Sequence, residues 1–111
     1  IIIQPLTKAE LQELAKERFG DMVKAVVDIA RGVMAVGGEL HADEEALLLE
    51  QGSKQENLWG INLYPDAVGD GFLEFDSMIN IRPSQGNRSR GVEDPAIRTS
   101  ISEVIRKLVK E

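Results

Sequence analysis

The first clear element along the chain is an amphipathic helix that begins after Thr7. Thr7 and Glu10 have the spacing of a capping box, in which each side chain bonds the backbone amide of the other. The apolar stripe that follows has helical spacing and consists of Leu11, Leu14, Ala15 and Phe19. Gly20 supplies a stop signal. We therefore predict a helix between Thr7 and Gly20 with one face in a core.

Two further helices are indicated by cap residues. Asp43 can cap a short helix that runs to Leu49, although Leu47 to Leu49 could also be extended. Asp94 followed by Pro95 is typical of a helix start, because proline needs no amide partner at the first helical position. The apolar stripe of this last helix consists of Ile97, Ile101, Val104, Ile105, Leu108 and Val109.

Alternation of apolar and polar residues predicts the strands. Residues 23–29 and 33–36 form a predicted hairpin, residues 61–64 and 73–82 form two later strands, and residues 1–3 form a short first one. The strand over 73–82 has an apolar face of Leu73, Phe75, Ile79 and Ile81. Its polar face consists of Glu74, Asp76, Met78, Asn80 and Arg82. Trp59, the only tryptophan, is expected in the core.

The resulting order β-α-β-β-α-β-β-α predicts an α+β fold. We expect a mainly antiparallel or mixed sheet of four to five strands, with about three helices packed on one of its faces. A ferredoxin-like plait with an added strand and helix is compatible with this order. Residues 1–111 are expected to form a single globular domain, because this length leaves no room for two ordinary ones.

Composition narrows the functional classes. Cysteine is absent, which excludes disulfides, thiolate metal sites and cysteine nucleophiles and favours a cytoplasmic protein. No apolar run approaches about 18 residues, so we expect no membrane partner. The net charge of -6 repels polyanions at long range, which disfavours nucleic acid as a partner.

Three groups of residues carry a resemblance to a known family. They are Gly37-Gly38-Glu39-Leu40-His41-Ala42-Asp43, then Gly52-Ser53-Lys54-Gln55-Glu56 with Leu58-Trp59-Gly60-Ile61-Asn62, and Asn80-Ile81-Arg82-Pro83 with Gly86-Asn87-Arg88-Ser89-Arg90. In these strings, which span most of the chain, the protein resembles a family of small uncharacterised bacterial domains of unknown function. The resemblance implies no activity, substrate or catalytic residue.

The connection over residues 83–93 is longer than the usual loop of a small domain, and such loops are often functional. Arg88 and Arg90 supply forked cations that suit phosphate or carboxylate. The other polar candidates are Ser84, Gln85, Asn87 and Ser89. We predict that this loop binds an anionic small molecule or an acidic partner. Asp76 and Arg82 could form the floor of an adjoining cleft, although a solvated polar surface held by local ion pairs is the more common arrangement.

Two observations stand against this hypothesis. Arg88 and Arg90 could instead pair with the acidic segment at Glu44 and Glu45, which would only tie the loop down. Asp94 can also occupy the free amides at the helix start that would otherwise attract an anion. The hypothesis therefore requires that the guanidinium groups at positions 88 and 90 are free to meet a ligand.

The only imidazole of the chain lies among carboxylates. The cluster consists of Glu39, His41, Asp43, Glu44 and Glu45. His41, Asp43 and Glu44 could hold a divalent cation, or His41 could act as a base oriented by Asp43. Because the spacing fits no established metal motif, we assign no metal, and a solvated or capping role is the more common arrangement.

Three classes of function remain open. The first hypothesis is a binding module for a phosphorylated or carboxylated ligand. An acid-base or metal-assisted hydrolytic enzyme would require His41 or Asp76 to converge with Arg88. A homo-oligomeric structural or regulatory protein would use a sheet edge or the last helix. Neither a reaction nor a cofactor follows from the sequence.

Overall fold

The computed structural model describes residues 2–110. The chain runs through β1 (Leu6–Thr7), α1 (Lys8–Arg18), β2 (Val23–Asp28), β3 (Val33–Val36), α2 (His41–Glu50), β4 (Leu58–Leu63), β5 (Leu73–Glu74), α3 (Pro95–Leu108) and β6 (Val109–Lys110). β2 to β5 form an antiparallel sheet in the order β3-β2-β4-β5, and β1 and β6 form a small parallel pair. The predicted α+β fold is confirmed.

The two faces of the four-stranded sheet are covered by different helices. Alternate β2 residues point to opposite sides, so Ala25 joins a core with α1 and α3, whereas Val26 packs with Leu48 of α2. The expectation that the helices cover one face was therefore wrong. The larger core includes Trp59, which is 1% exposed, as predicted. The sheet also lacks the parallel pair that a βαβ unit of a ferredoxin-like plait supplies.

The predicted caps hold for two of the three helices. At α1, the Thr7 hydroxyl accepts a bond from the Glu10 amide at 3.1 Å, and the Thr7 amide donates to the Glu10 carboxylate at 3.0 Å. At α3, Asp94 accepts from the Ala96 amide at 2.8 Å. α2 instead begins at His41, two residues before the predicted cap Asp43.

The strand predicted over residues 73–82 is only two residues long. After β5 the chain leaves the sheet and forms a 3₁₀ turn at Met78–Asn80. The Ser77 side chain caps this turn by accepting a hydrogen bond from the Ile79 amide at 3.3 Å. This turn lies on Gly60 of β4, where an added Cβ would stand 2.5 Å from the Cβ of Ser77. Asn80 is consequently buried rather than displayed on a polar strand face.

Both edges of the sheet are short. On the β3 side, Ile2 exchanges two backbone hydrogen bonds with Val36, at 2.9 and 3.0 Å. Of the strand predicted over residues 1–3, Ile1 lies outside the described residues and Ile2 forms only this bridge. On the other side, β5 offers just two residues. Among residues 2–110, no helix is both long enough and apolar enough to cross a lipid bilayer.

Candidate functional site

A cleft of about 470 Å³ opens on the α2 face of the sheet, next to the start of α2. We call it the α2 cleft. Its polar lining consists of Lys24, His41, Asn62, Tyr64, Glu74, Asp76, Ser77 and Arg90. Its apolar lining consists of Met22, Leu40, Ala42, Met78 and Ile79. The cleft therefore draws on β2, α2, β4, β5 and the loop over residues 83–93.

A row of three partners across the sheet forms the polar floor. Lys24 in β2 pairs with Asn62 in β4, which pairs with Glu74 in β5, so the three side chains share one face. The Asn62 amide nitrogen donates to the Glu74 carboxylate at 2.9 Å, and the Tyr64 hydroxyl donates to the same oxygen at 2.9 Å. Within the described residues, the buried Asn62 amide oxygen has no hydrogen-bond partner.

His41 is held against the sheet by a backbone carbonyl. Its Nε2 lies 2.7 Å from the carbonyl oxygen of Ile61, and because a carbonyl only accepts, Nε2 is the protonated nitrogen. Nδ1 is then the nitrogen with a free electron pair. Burial lowers the pKa of His41 below its ordinary value, and the nearby Lys24 adds to this effect. The imidazole is therefore neutral at neutral pH and is a potential base.

An ion pair joins the loop to the cleft. The Arg90 Nε donates to the Asp76 carboxylate at 2.6 Å, with the two side chains 54% and 40% exposed. The Arg90 carbonyl also accepts from the Ser77 amide at 2.9 Å and from the Asn80 side chain at 2.9 Å. Within residues 2–110, the terminal guanidinium nitrogens of Arg90 form no hydrogen bond. They remain able to bind a ligand.

Asn87 organises the interior of the loop. Although it was predicted as a ligand-binding residue, it is 4% exposed. Its side-chain nitrogen donates to the carbonyl oxygens of Asn80, Ser89 and Gly91 at 2.7, 3.1 and 2.9 Å. Its side-chain oxygen accepts from the Glu93 amide at 2.9 Å. The hydrogen-bonding capacity of this side chain is thus used within the protein.

The loop also supplies its own anion. The Glu93 carboxylate accepts from the backbone amides of Arg88 and Ser89, at 2.7 and 3.0 Å. These bonds, led by the one from Arg88, hold the pKa of Glu93 below its ordinary value. The amides that an external phosphate or carboxylate would use at this turn are therefore already engaged.

The other predicted residues of the loop are dispersed. Ser84 is exposed, and the Gln85 side chain donates to the Glu56 carbonyl at 3.1 Å. Arg88 is exposed and does not line the α2 cleft. Of the predicted ligand-binding residues, Asp76 and Arg90 line it.

Two contacts that the sequence analysis considered are not formed. The salt bridges of residues 2–110 pair neither Arg88 nor Arg90 with Glu44 or Glu45. Arg82, expected beside Asp76, lies instead over the ring of Trp59, with its guanidinium carbon 4.2 Å from the ring centroid. It also donates to the carbonyl oxygens of Gln55 and Leu58.

The acidic segment around His41 is divided between the surface and the interior. Asp43 is exposed, whereas Glu44 is fully buried and accepts from the Gly38 amide at 2.9 Å. Burial raises the pKa of Glu44 to about 8. In the part of the chain that is described, no group of three or more His, Asp or Glu side chains is arranged to hold a metal ion.

Sequence reasoning missed Lys24 and Tyr64 as cleft residues. Lys24 lies between apolar residues of β2. This alternation indicated that its side chain lies on the sheet face opposite to those of its two neighbours. Its distance from Asn62 in the sequence hides their pairing, which depends on how β2 and β4 meet. Tyr64 lies one residue beyond β4, and its alternation with Ile61 and Leu63 was the corresponding signal.

Comparison with known protein families identifies a match. A family model described as "Protein of unknown function (DUF5674)" matches residues 1–108, which is nearly the whole chain. No curated protein and no solved structure matches the chain. The predicted resemblance to an uncharacterised domain family is thereby confirmed. The chain belongs to the protein family of unknown function DUF5674.

Proposed function

We propose that the protein binds a small molecule with an anionic group in the α2 cleft. The observation that carries the proposal is that His41, Asp76 and Arg90, from three separate parts of the chain, line one concave surface. A cleft of about 470 Å³ is in the size range of small-molecule sites, in which a few polar groups converge between apolar walls. The arginine-containing loop contributes Arg90 to this site.

The two cationic side chains of the cleft can receive an anion. Each carboxylate has one oxygen engaged internally, since Glu74 Oε1 accepts from Asn62 and Tyr64, and Asp76 Oδ1 accepts from Arg90. Both cations retain hydrogen-bond donors: within residues 2–110, the Lys24 ammonium forms no ion pair, although it lies 5.1 Å from the centroid of the Phe19 ring, and Arg90 uses only its Nε. Asp76 also fixes the direction of the Arg90 guanidinium, which reduces the entropy lost when a ligand binds.

The rim of the cleft favours a ligand that also has an apolar part. Leu40 and Met78 line the cleft and are 54% and 65% exposed. Large apolar side chains exposed beside convergent polar groups are typical of binding surfaces. Methionine adapts to ligands of different shape. A carboxylate or phosphate on a small ring combines both features.

Thermal-shift and calorimetric titrations with benzoate, phenyl phosphate and inorganic phosphate test this proposal. We expect the aromatic anions to raise the melting temperature more than phosphate alone, and Arg90→Gln and Lys24→Gln to abolish the effect. Lys16→Gln is the matched control, since Lys16 is exposed on α1, pairs with Glu13 and does not line the cleft. Binding that survives both cleft substitutions, or no binding of any probe, would refute the proposal.

A second candidate is acid-base catalysis by His41. It is favoured by the bond from Nε2 to the Ile61 carbonyl, which fixes the tautomer and leaves Nδ1 as the base. Because His41 is the only histidine, its ring protons can be followed by NMR without ambiguity. We expect a pKa below the ordinary value, and loss of any turnover on a panel of phosphate and carboxylate esters in His41→Gln. Turnover that persists in a folded His41→Gln variant would exclude this role.

A further inference from the structure

A second concave surface lies on the other face of the sheet. This α3 groove, of about 500 Å³, runs between α3, the first residue of α1 and the segment that joins β4 to β5. Its large apolar lining residues are Val68, Phe72, Leu73, Ile105 and Val109. Leu73 and its neighbour Glu74 face opposite sides of β5, so that one lines the groove and the other the α2 cleft. The two surfaces share no lining residue.

The charged residues of the groove are all cations. Lys8 and Arg106 line it, and its lining contains no Asp or Glu. Among residues 2–110, neither cation forms an ion pair. The Lys8 ammonium lies 5.6 Å from the centroid of the Phe72 ring, so it stands over the apolar floor. In a chain with a net charge of -6, a purely cationic lining is opposite to the overall charge.

The position of Lys8 adds to this local charge. Lys8 is the first residue of α1, where the partial positive charge of the helix N-terminus makes a cation unfavourable. Glu10 offsets part of that repulsion from the capping box. A further anion next to Lys8 would therefore be stabilised by its ammonium and by the helix end together.

We propose that the α3 groove binds an amphipathic monocarboxylate, a molecule with one carboxylate and an apolar chain. The carboxylate lies between Lys8 and Arg106, with the Ser102 hydroxyl as a third donor. The chain lies along Phe72, Leu73 and Ile105. Charge complementarity selects an anion, and the apolar floor selects a molecule with a hydrocarbon part over an inorganic ion.

Calorimetric titration of the whole protein with octanoate tests this proposal, with octanol and acetate as matched probes. We expect octanoate to bind more tightly than either, because only octanoate has both the charge and the chain. Lys8→Gln and Arg106→Gln should each weaken octanoate binding by about tenfold. Lys107→Gln is the control, because Lys107 is the exposed neighbour of Arg106 and does not line the groove.

The outcomes separate this site from the α2 cleft. Arg90→Gln, which should abolish benzoate binding in the cleft, should leave octanoate binding unchanged. Amide NMR shifts caused by octanoate should centre on Lys8, Ser102 and Arg106. Shifts centred on Asn62, equal binding of octanol, an equal effect of Lys107→Gln or no octanoate binding would each overturn the proposal. An acidic peptide that bound the groove more tightly than octanoate would overturn the assignment to a monocarboxylate and identify a protein segment as the occupant.

Discussion

The Nε of Arg90 lies 2.6 Å from the Asp76 carboxylate, and this contact joins the loop over residues 83–93 to the segment that follows β5. It gives the guanidinium a defined direction at the cleft while leaving both side chains half exposed. Solvent screens such a pair, so its role is to position a donor more than to stabilise the fold.

We therefore expect substitutions of this pair to separate stability from binding. Arg90→Gln and Asp76→Asn should each change the free energy of unfolding by less than about 1 kcal/mol. Urea titrations followed by fluorescence of the buried Trp59 measure this change, and a double-mutant cycle isolates the pair. A loss of several kcal/mol would mean that the ion pair supports the loop structurally.

Asn87 should behave in the opposite way. Asn87→Ala removes four hydrogen bonds from a buried position. It leaves three carbonyl groups and one amide without the partner that the Asn87 side chain provides. We expect a loss of about 2–4 kcal/mol in the free energy of unfolding. Arg88→Ala next to it is the control, with a change within about 0.5 kcal/mol because Arg88 is exposed. Equal effects of the two substitutions in urea titrations would contradict this account of the loop.

Gly60 is expected to tolerate no side chain. An alanine Cβ there would lie 2.5 Å from Ser77 and 3.1 Å from Ile79, so Gly60→Ala should destabilise the protein by about 1–3 kcal/mol. The strain falls on the segment that carries Asp76 and Met78, and anion binding in the α2 cleft should weaken as well. Gly71→Ala, whose Cβ would meet only Ala67 at an ordinary 3.5 Å, should leave the midpoint of unfolding unchanged or slightly higher.

Glu44 should make stability depend on pH. Its pKa is raised from 4.5 to about 8 in the folded protein, so the folded state holds the proton more tightly than the unfolded state. The free energy of unfolding should therefore fall, by a few kcal/mol, as the pH rises from about 4.5 to about 8. Glu44→Gln should remove this decline and stabilise the protein above pH 8.

Two comparisons test whether this pH dependence of stability comes from Glu44. His41, with its lowered pKa, acts in the opposite sense and reduces stability as the pH falls below its ordinary value. Both proteins contain His41, so its contribution cancels when the free energy of unfolding of Glu44→Gln is subtracted from that of the unmodified protein at each pH. Glu13→Gln, on an exposed carboxylate, should retain the decline. An unchanged slope in Glu44→Gln would contradict the assignment.

Local signals in the sequence predicted much of the fold. The capping box of α1, the Asp94 cap of α3 and the β2-β3 hairpin depend on neighbours within a few residues, and each is present. The start of α2 was misplaced because His41 and Glu44 are polar residues that face the sheet. Together with Leu48 they form the buried face of α2, with the spacing i, i+3 and i+7. Because two of these three residues are polar, a search for hydrophobic residues at helical spacing cannot detect this face.

The candidate site was harder to predict because its members meet only through long-range contacts. The end of β5 depends on the contact between Ser77 and Gly60, which are far apart in sequence. That contact moves Asn80 into the interior and lets Asp76 meet Arg90. Arg88 and Arg90 are equivalent in the sequence, yet the buried Asn87 directs the loop so that only Arg90 reaches the cleft.

The short margins of the sheet bear on how this chain behaves at high concentration. Strand exchange and fibril growth start from long runs of unpaired backbone at a sheet edge. Here one margin is two residues long, and the other is four residues long with Val36 already bonded to Ile2. Removal of the segment around Ile2 would uncover the valine-rich margin of β3 and make it a template for self-association.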